Sequence, residues 1–197
     1  MTLVLASTSP YRRELLSRID VPFEVDAPSF DERVLDPEFE SMTDEEFAAK
    51  LARGKADSLA QRPAERWILA ADQIAVAHLP ERTLLHKPGT LAAAVEQLML
   101  LSGKTHTLTT AVVLLNPSRG RSEETVDRQT LTMRSFSRDE AQEYVTRHRP
   151  VDCVGAYRIE DAGIRLFERI ESADYTGIIG LPLLAVCQLL RRVSLLP

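Results

Sequence analysis

The chain has 197 residues, which suits one large domain or two small lobes sharing a core, since domains run roughly 100–200 residues. Apolar residues make up 44% and charged residues 27%, too apolar for a disordered chain and enough to bury a core. Lys+Arg 24 against Asp+Glu 29 gives a formal net charge of −5, which argues against a nucleic-acid-polymer binder but leaves room for a small phosphorylated ligand.

Elements of alternating type predict an α/β fold. Residues 3–6 are a short apolar run, a buried strand. Ser7-Thr8-Ser9 follows, and then Pro10 opens a helix whose apolar stripe is Leu15, Leu16 and Ile19. Thr43 and Glu46 are spaced as a capping box ahead of a second helix, with Phe47, Leu51 and Leu59 on its inner face. Residues 67–71 predict a buried strand and 74–77 its continuation. Thr90 caps a helix that Gly103 stops. Residues 105–115 and 125–134 predict two adjacent strands, and Ser137 with Glu140 opens a helix to about His148. Residues 164–170 predict another strand, and 183–192 an apolar helix with a basic end, as the helix dipole favours.

Several classes drop out. No apolar run approaches the ~18–20 residues that span a bilayer, and the N-terminus lacks the basic and apolar regions of a signal peptide. Cys153 and Cys187 make no disulfide framework, which predicts two free thiols in a reduced cytoplasmic setting. The four histidines are not paired at metal-ligand spacing and no Cys-x-x-Cys exists, so a zinc site is not expected. There is no Walker A loop, Gly-x-Gly-x-x-Gly or Gly-x-Ser-x-Gly.

Four places can carry chemistry. The turn of Ser7 and Ser9 into a helix bearing Arg12 and Arg13 has the parts of a phosphate cradle: helix N–H groups, hydroxyls and guanidinium donors. The same residues also fit a well-capped helix with solvated arginines. Lys55 continues the apolar stripe of its helix, and either snorkels to solvent or points into a lined cleft. Asp72 ends the run Ile68-Leu69-Ala70-Ala71, a place for a metal ligand or a base, or else for a turn aspartate. Glu32 offers a second acidic ligand for a hard cation, or a surface-loop carboxylate. Lys87 sits in a turn before a helix and says little alone.

Taken in order, these residues resemble the Maf family of nucleotide pyrophosphatases. The likeness is carried by Leu5-Ala6-Ser7-Thr8-Ser9-Pro10 with Arg12-Arg13-Glu14-Leu15-Leu16, Asp31-Glu32, Lys55-Ala56, Ala71-Asp72-Gln73 and Lys87-Pro88. It continues through Leu101-Ser102-Gly103-Lys104-Thr105-His106, Gly155-Ala156-Tyr157 and Gly180-Leu181-Pro182-Leu183. Each motif is weak alone; in this order over nearly the whole chain they are specific. The resemblance implies one domain over residues 1–197, an elongated mixed-sheet fold like the inosine-triphosphate pyrophosphatases, and a cleft between two lobes. It implies a cytoplasmic homodimer that hydrolyses a nucleoside triphosphate to the monophosphate and pyrophosphate. A divalent cation, Mg2+ or Mn2+, is implied, held by Glu32 and Asp72. Asp72 is the implied catalytic residue, with Ser7, Ser9, Arg12, Lys55 and Lys87 on the phosphates.

Three positions bear on the base. Family members acting on dTTP and UTP carry arginine, threonine and glutamine where this chain has Tyr11, Gln73 and Glu160, a set that resembles the subgroup acting on 7-methyl-GTP. N7 methylation makes guanine cationic, which suits the face of Tyr11, and Glu160 can accept from the N1–H and the exocyclic amine. A dTTP/UTP pyrophosphatase of the same family and a nucleotide-binding regulator of septum formation without turnover are the alternatives. The chain departs from the family in having Cys153 where many members have lysine, and Ser172-Ala173-Asp174-Tyr175-Thr176 where many have Gly-Asp-Tyr-x-Asn.

Overall fold

The structure is a computed structural model that describes residues 2–61 and 65–197. Its strands hydrogen-bond in the order β2-β1-β3-β5-β6-β7, with β4 added on β3. These are β1 (Thr2–Ala6), β2 (Phe23–Asp26), β3 (Arg66–His78), β4 (Arg82–Leu85), β5 (Thr105–Asn116), β6 (Arg121–Met133) and β7 (Phe167–Glu171). β1 runs parallel to both β2 and β3, while β4 on β3 and β7 on β6 are antiparallel. The fold is therefore mixed α/β, with a mixed sheet. The chain divides into two compact units, each discontinuous in sequence.

The first unit holds residues 1–73, 109–127 and 174–197. β1 lies between two parallel neighbours, so both its edges are paired, and four consecutive residues of its five are buried apolar ones, as in a sheet covered on both faces. Its core joins Leu3 and Leu5 to Leu15 and Leu16 of α1 (Pro10–Ser17), to Trp67 and Leu69 of β3, and to α6 (Leu183–Arg192). Each such fully buried side chain contributes roughly 1.5–3 kcal/mol. α2 (Asp44–Asp57) carries both halves of the Thr43–Glu46 capping box and buries Phe47, Leu51 and Lys55 on one face. The short α5 (Tyr175–Ile179), capped by Asp174, precedes α6.

The second unit holds residues 74–108 and 128–173. There α3 (Leu91–Leu101) packs on α4 (Arg138–His148), and both begin at the residues the sequence predicts. The helix of 91–101 ends before Gly103, whose φ is +69°.

Two sequence expectations need correction. Residues 164–170 are not one strand: 163–166 form a 3-10 turn and β7 starts at Phe167. The turn closes because the Gly163 amide donates to the Arg158 carbonyl at 2.9 Å, where a Cβ on residue 163 would meet that oxygen at 2.1 Å. Asp72 does not end its strand either, since β3 runs unbroken through it to His78. What ends nearby is β1, whose last paired residue, Ala6, lies opposite Ala70.

Candidate active site

Asp72 lies two residues past the last β1 pairing of β3, and is 4% exposed. Its Oδ1 accepts from the Lys55 ammonium at 3.0 Å and from the Gln73 amide at 2.9 Å. Its Oδ2 is buried and accepts no hydrogen bond. Burial pushes its pKa up; the charge of Lys55 pulls it down, Glu32 raises it, and Arg12 lowers it, with a net rise.

Lys55 resolves toward the interior rather than to solvent. It is 7% exposed, and its ammonium bridges Asp72 and Glu32, with Glu32 Oε1 at 2.6 Å. The helical spacing explains this: Lys55 follows Phe47 and Leu51 on the buried face of α2, so its stem lies among apolar atoms and its head meets the two carboxylates. Glu32 opens a 3-10 turn, Glu32–Ser41, rather than lying in an irregular loop, and its side chain stays 46% exposed.

The start of α1 is a capped helix turn that carries the hydroxyls and the guanidinium a phosphate cradle would need. Ser9 is the N-cap, its Oγ accepting from the Arg12 amide, and Ser7 Oγ accepts from the Ser9 amide at 3.1 Å. Each hydroxyl oxygen thus accepts a hydrogen bond from a backbone N–H, and its own O–H can donate to an anionic oxygen. The Ser7 amide is tied to the carbonyls of Leu5 and Asp26. The Arg12 guanidinium is held by the Gly180 carbonyl at 2.9 Å through Nε. Tyr11 is half-buried beside it on the first turn of α1.

Seven predicted residues thus gather in the first unit: Ser7, Ser9, Arg12, Glu32, Lys55, Asp72 and Gln73, with Tyr11 on the same helix as Arg12. Lys87 and Glu160 belong to the second unit, and both are exposed. Lys87 lies between β4 and α3, where the Gly89 amide donates to the Val151 carbonyl. Glu160 follows a segment pinned from below. The buried Tyr157 hydroxyl meets His106 Nε2 at 2.8 Å, the Arg158 amide donates to the Tyr144 hydroxyl, and the Arg158 guanidinium holds Asp152 and Asp161.

Among the described residues no group of three or more His, Cys, Asp or Glu forms a metal cage. Two carboxylates do share Lys55, and Asp72 keeps one buried oxygen without a partner. That donor set fits magnesium, which takes one or two carboxylates and fills its sphere with water and substrate phosphate oxygens. Among the described residues no helix is long and apolar enough to cross a membrane, and both cysteines are free thiols.

Sequence reasoning missed the carbonyl of Gly180, which accepts from Arg12 Nε, and the hydroxyl of Thr110, which accepts from Gln73 Nε2 at 2.9 Å. Gly180-Leu181-Pro182-Leu183 stands out in the sequence, but no residue type in it announces that a backbone oxygen will orient an arginine.

The chain matches the family "Maf-like protein" over residues 2–193. It belongs to the Maf family, the nucleotide pyrophosphatases its sequence resembles. Among its relatives, a protein of Hahella chejuensis named 7-methyl-GTP pyrophosphatase is 37% identical, covering 98% of this chain and 94% of its own. Proteins of the same name from Cupriavidus metallidurans and Pseudomonas putida are 40% and 38% identical, covering 98% of this chain and 93% and 96% of theirs. A solved structure from Mycobacterium abscessus, a nucleoside-triphosphatase and dITP/XTP pyrophosphatase, aligns with 68% of this chain and 74% of its own at 17% identity and a TM-score of 0.41. Nothing about this chain's activity follows from so distant a likeness.

Proposed function

We propose that the protein hydrolyses 7-methyl-GTP to 7-methyl-GMP and pyrophosphate. The observation that carries the reading is the buried Asp72 with one oxygen tied to Lys55 and the other without a partner. Full-length relatives named for that activity support the choice of substrate.

Ser7, Ser9, Arg12, Lys55 and Lys87 hold the triphosphate. Asp72 Oδ2 orients a water against the α-phosphorus and takes its proton. A bond forms from the water oxygen to the α-phosphorus, the bond to the α–β bridging oxygen breaks, and pyrophosphate leaves with that oxygen. Catalysis of this kind is mostly positioning and charge stabilisation, so fixed donors suit it. Glu32 and Asp72 would hold the divalent cation, which when bound neutralises triphosphate charge. Tyr11 and Glu160 set the base, with Gln73 a third position that differs between subgroups. We read residues 1–197 as one functional domain that works in the cytoplasm as a homodimer.

The test is a panel of nucleoside triphosphates assayed with magnesium. The reading predicts 7-methyl-GTP as the best substrate, with monophosphate and pyrophosphate as products. A chain that hydrolyses dTTP or UTP at least as well is instead a pyrophosphatase of the other subgroup. One that turns over none of them is a binding protein.

A further inference from the structure

Gln73 is half-buried, next to the catalytic carboxylate, and its side chain faces away from any role in holding that carboxylate. Its Nε2 donates to Thr110 Oγ1 of β5 at 2.9 Å and to the Gly177 carbonyl of α5 at 2.6 Å. The carbonyl partner fixes which end of the amide is which, because only the NH2 end can donate to it. Both donor hydrogens are thereby committed within the protein.

The far end of α5 meets Arg12. Gly177 is the third residue of α5, and Gly180 closes it, donating its amide to the carbonyls of Thr176 and Gly177. The Gly180 carbonyl then accepts from Arg12 Nε at 2.9 Å. Gly180 has a φ of +121°, a conformation that favours glycine, so the direction of its carbonyl depends on the backbone of this one turn. A chain of contacts thus runs from Gln73 through Gly177 and Gly180 to the guanidinium. An arginine held at Nε has its two terminal nitrogens aimed, and a bidentate phosphate contact depends on that aim.

We propose that Gln73 is a positioning residue for the phosphate clamp: by anchoring the Gly177–Gly180 turn it aims Arg12 at the triphosphate. The inference rests on the clamp proposed above, and it adds a positioning role at a residue that the subgroup comparison associates with the base.

Pyrophosphate separates the two roles, because it fills a phosphate clamp and carries no base. Its affinity is measured by calorimetry in magnesium buffer for wild type, Gln73→Ala, Arg12→Ala and the double variant, with melting temperatures alongside. Gln73→Ala should weaken pyrophosphate binding roughly fivefold or more, part of what a hydrogen bond to a charged group is worth. In the Arg12→Ala background the same change should cost nothing further, since the residue it positions is gone. Thr110→Val removes one of the two Gln73 anchors with little change of shape, and should give a smaller loss in the same sense should Gln73→Ala fold poorly. Unchanged pyrophosphate affinity in Gln73→Ala, or an equal loss with and without Arg12, overturns the proposal. So does a wild type that binds no pyrophosphate, which has no clamp to position. If pyrophosphate binding behaves as expected but 7-methyl-GTP is not hydrolysed, the substrate reading fails and the positioning role stands.

Discussion

Asp72 and His106 are both almost wholly enclosed, and the chain surrounds them differently. Asp72 in the first unit is 4% exposed, and His106 in the second is 0% exposed. Burial opposes charge on both: it raises the pKa of the acid and lowers that of the base. Around Asp72 the protein adds Lys55 and Arg12, whose charges favour the carboxylate, and Glu32, whose charge opposes it; Asp72 Oδ2 and His106 Nδ1 are alike in being buried without a hydrogen-bond partner. Around His106 it adds nothing that favours the imidazolium. Burial first, and the charge of His78 second, push it down to about 4, and its Nε2 is tied to the Tyr157 hydroxyl. The same burial therefore acts against charge in both places, with a net rise for Asp72 and a fall for His106, but only Asp72 has neighbours of opposite charge set against it. What separates them is the company each keeps, not the degree of enclosure.

Removing the charge from the first group tests the contrast most severely. Asp72→Asn keeps the shape and the Lys55 neighbour but loses the base, and turnover should fall about 10²–10⁴-fold with the melting curve little changed. Near-normal steady-state rates would take Asp72 out of the chemistry. The second group should show itself in stability rather than in rate. Unfolded histidine titrates near 6.5, while folded His106 titrates at about 4, so between these values the unfolded chain binds more protons and stability falls as pH falls. The full loss is on the order of 3 kcal/mol. Denaturant titrations of wild type and His106→Gln between pH 7 and 4 should show that this slope flattens in the variant.

Smaller effects sharpen the picture. Arg12→Ala and Lys55→Ala should each lower kcat/KM roughly 10- to 100-fold for every triphosphate, the scale of hydrogen bonds to charged groups, without reordering the bases. A changed base preference at intact overall rate would move either residue out of the clamp. Tyr11→Ala should hurt 7-methyl-GTP more than GTP by about 2- to 30-fold, the cation–π share of stacking on a charged ring. Equal losses on the two nucleotides would leave Tyr11 as a packing residue only.

Much of this is legible in the sequence, and for identifiable reasons. The helices opened by Thr43, Thr90 and Ser137 follow from capping chemistry, which is local in sequence. Lys55 is ambiguous in the sequence, because helical spacing places it on the buried face but does not show the carboxylates that meet it there. β2 and β4, four residues each, lack a period long enough to stand out. The 3-10 turn before β7 depends on the close approach of Gly163 to the Arg158 carbonyl, a contact no local pattern encodes. The tie from Gln73 to Gly177 spans 104 residues and ends on a backbone oxygen. Backbone atoms have no residue type, so a sequence cannot announce them.

The central claim is that a water held by Asp72 attacks the α-phosphorus. Hydrolysis of 7-methyl-GTP in water enriched in oxygen-18, followed by mass spectrometry of both products, tests it directly. The mechanism predicts one labelled oxygen in 7-methyl-GMP and none in pyrophosphate. Label in pyrophosphate would mean attack at the β-phosphorus and would contradict the placement of Asp72 as the residue that aims the water.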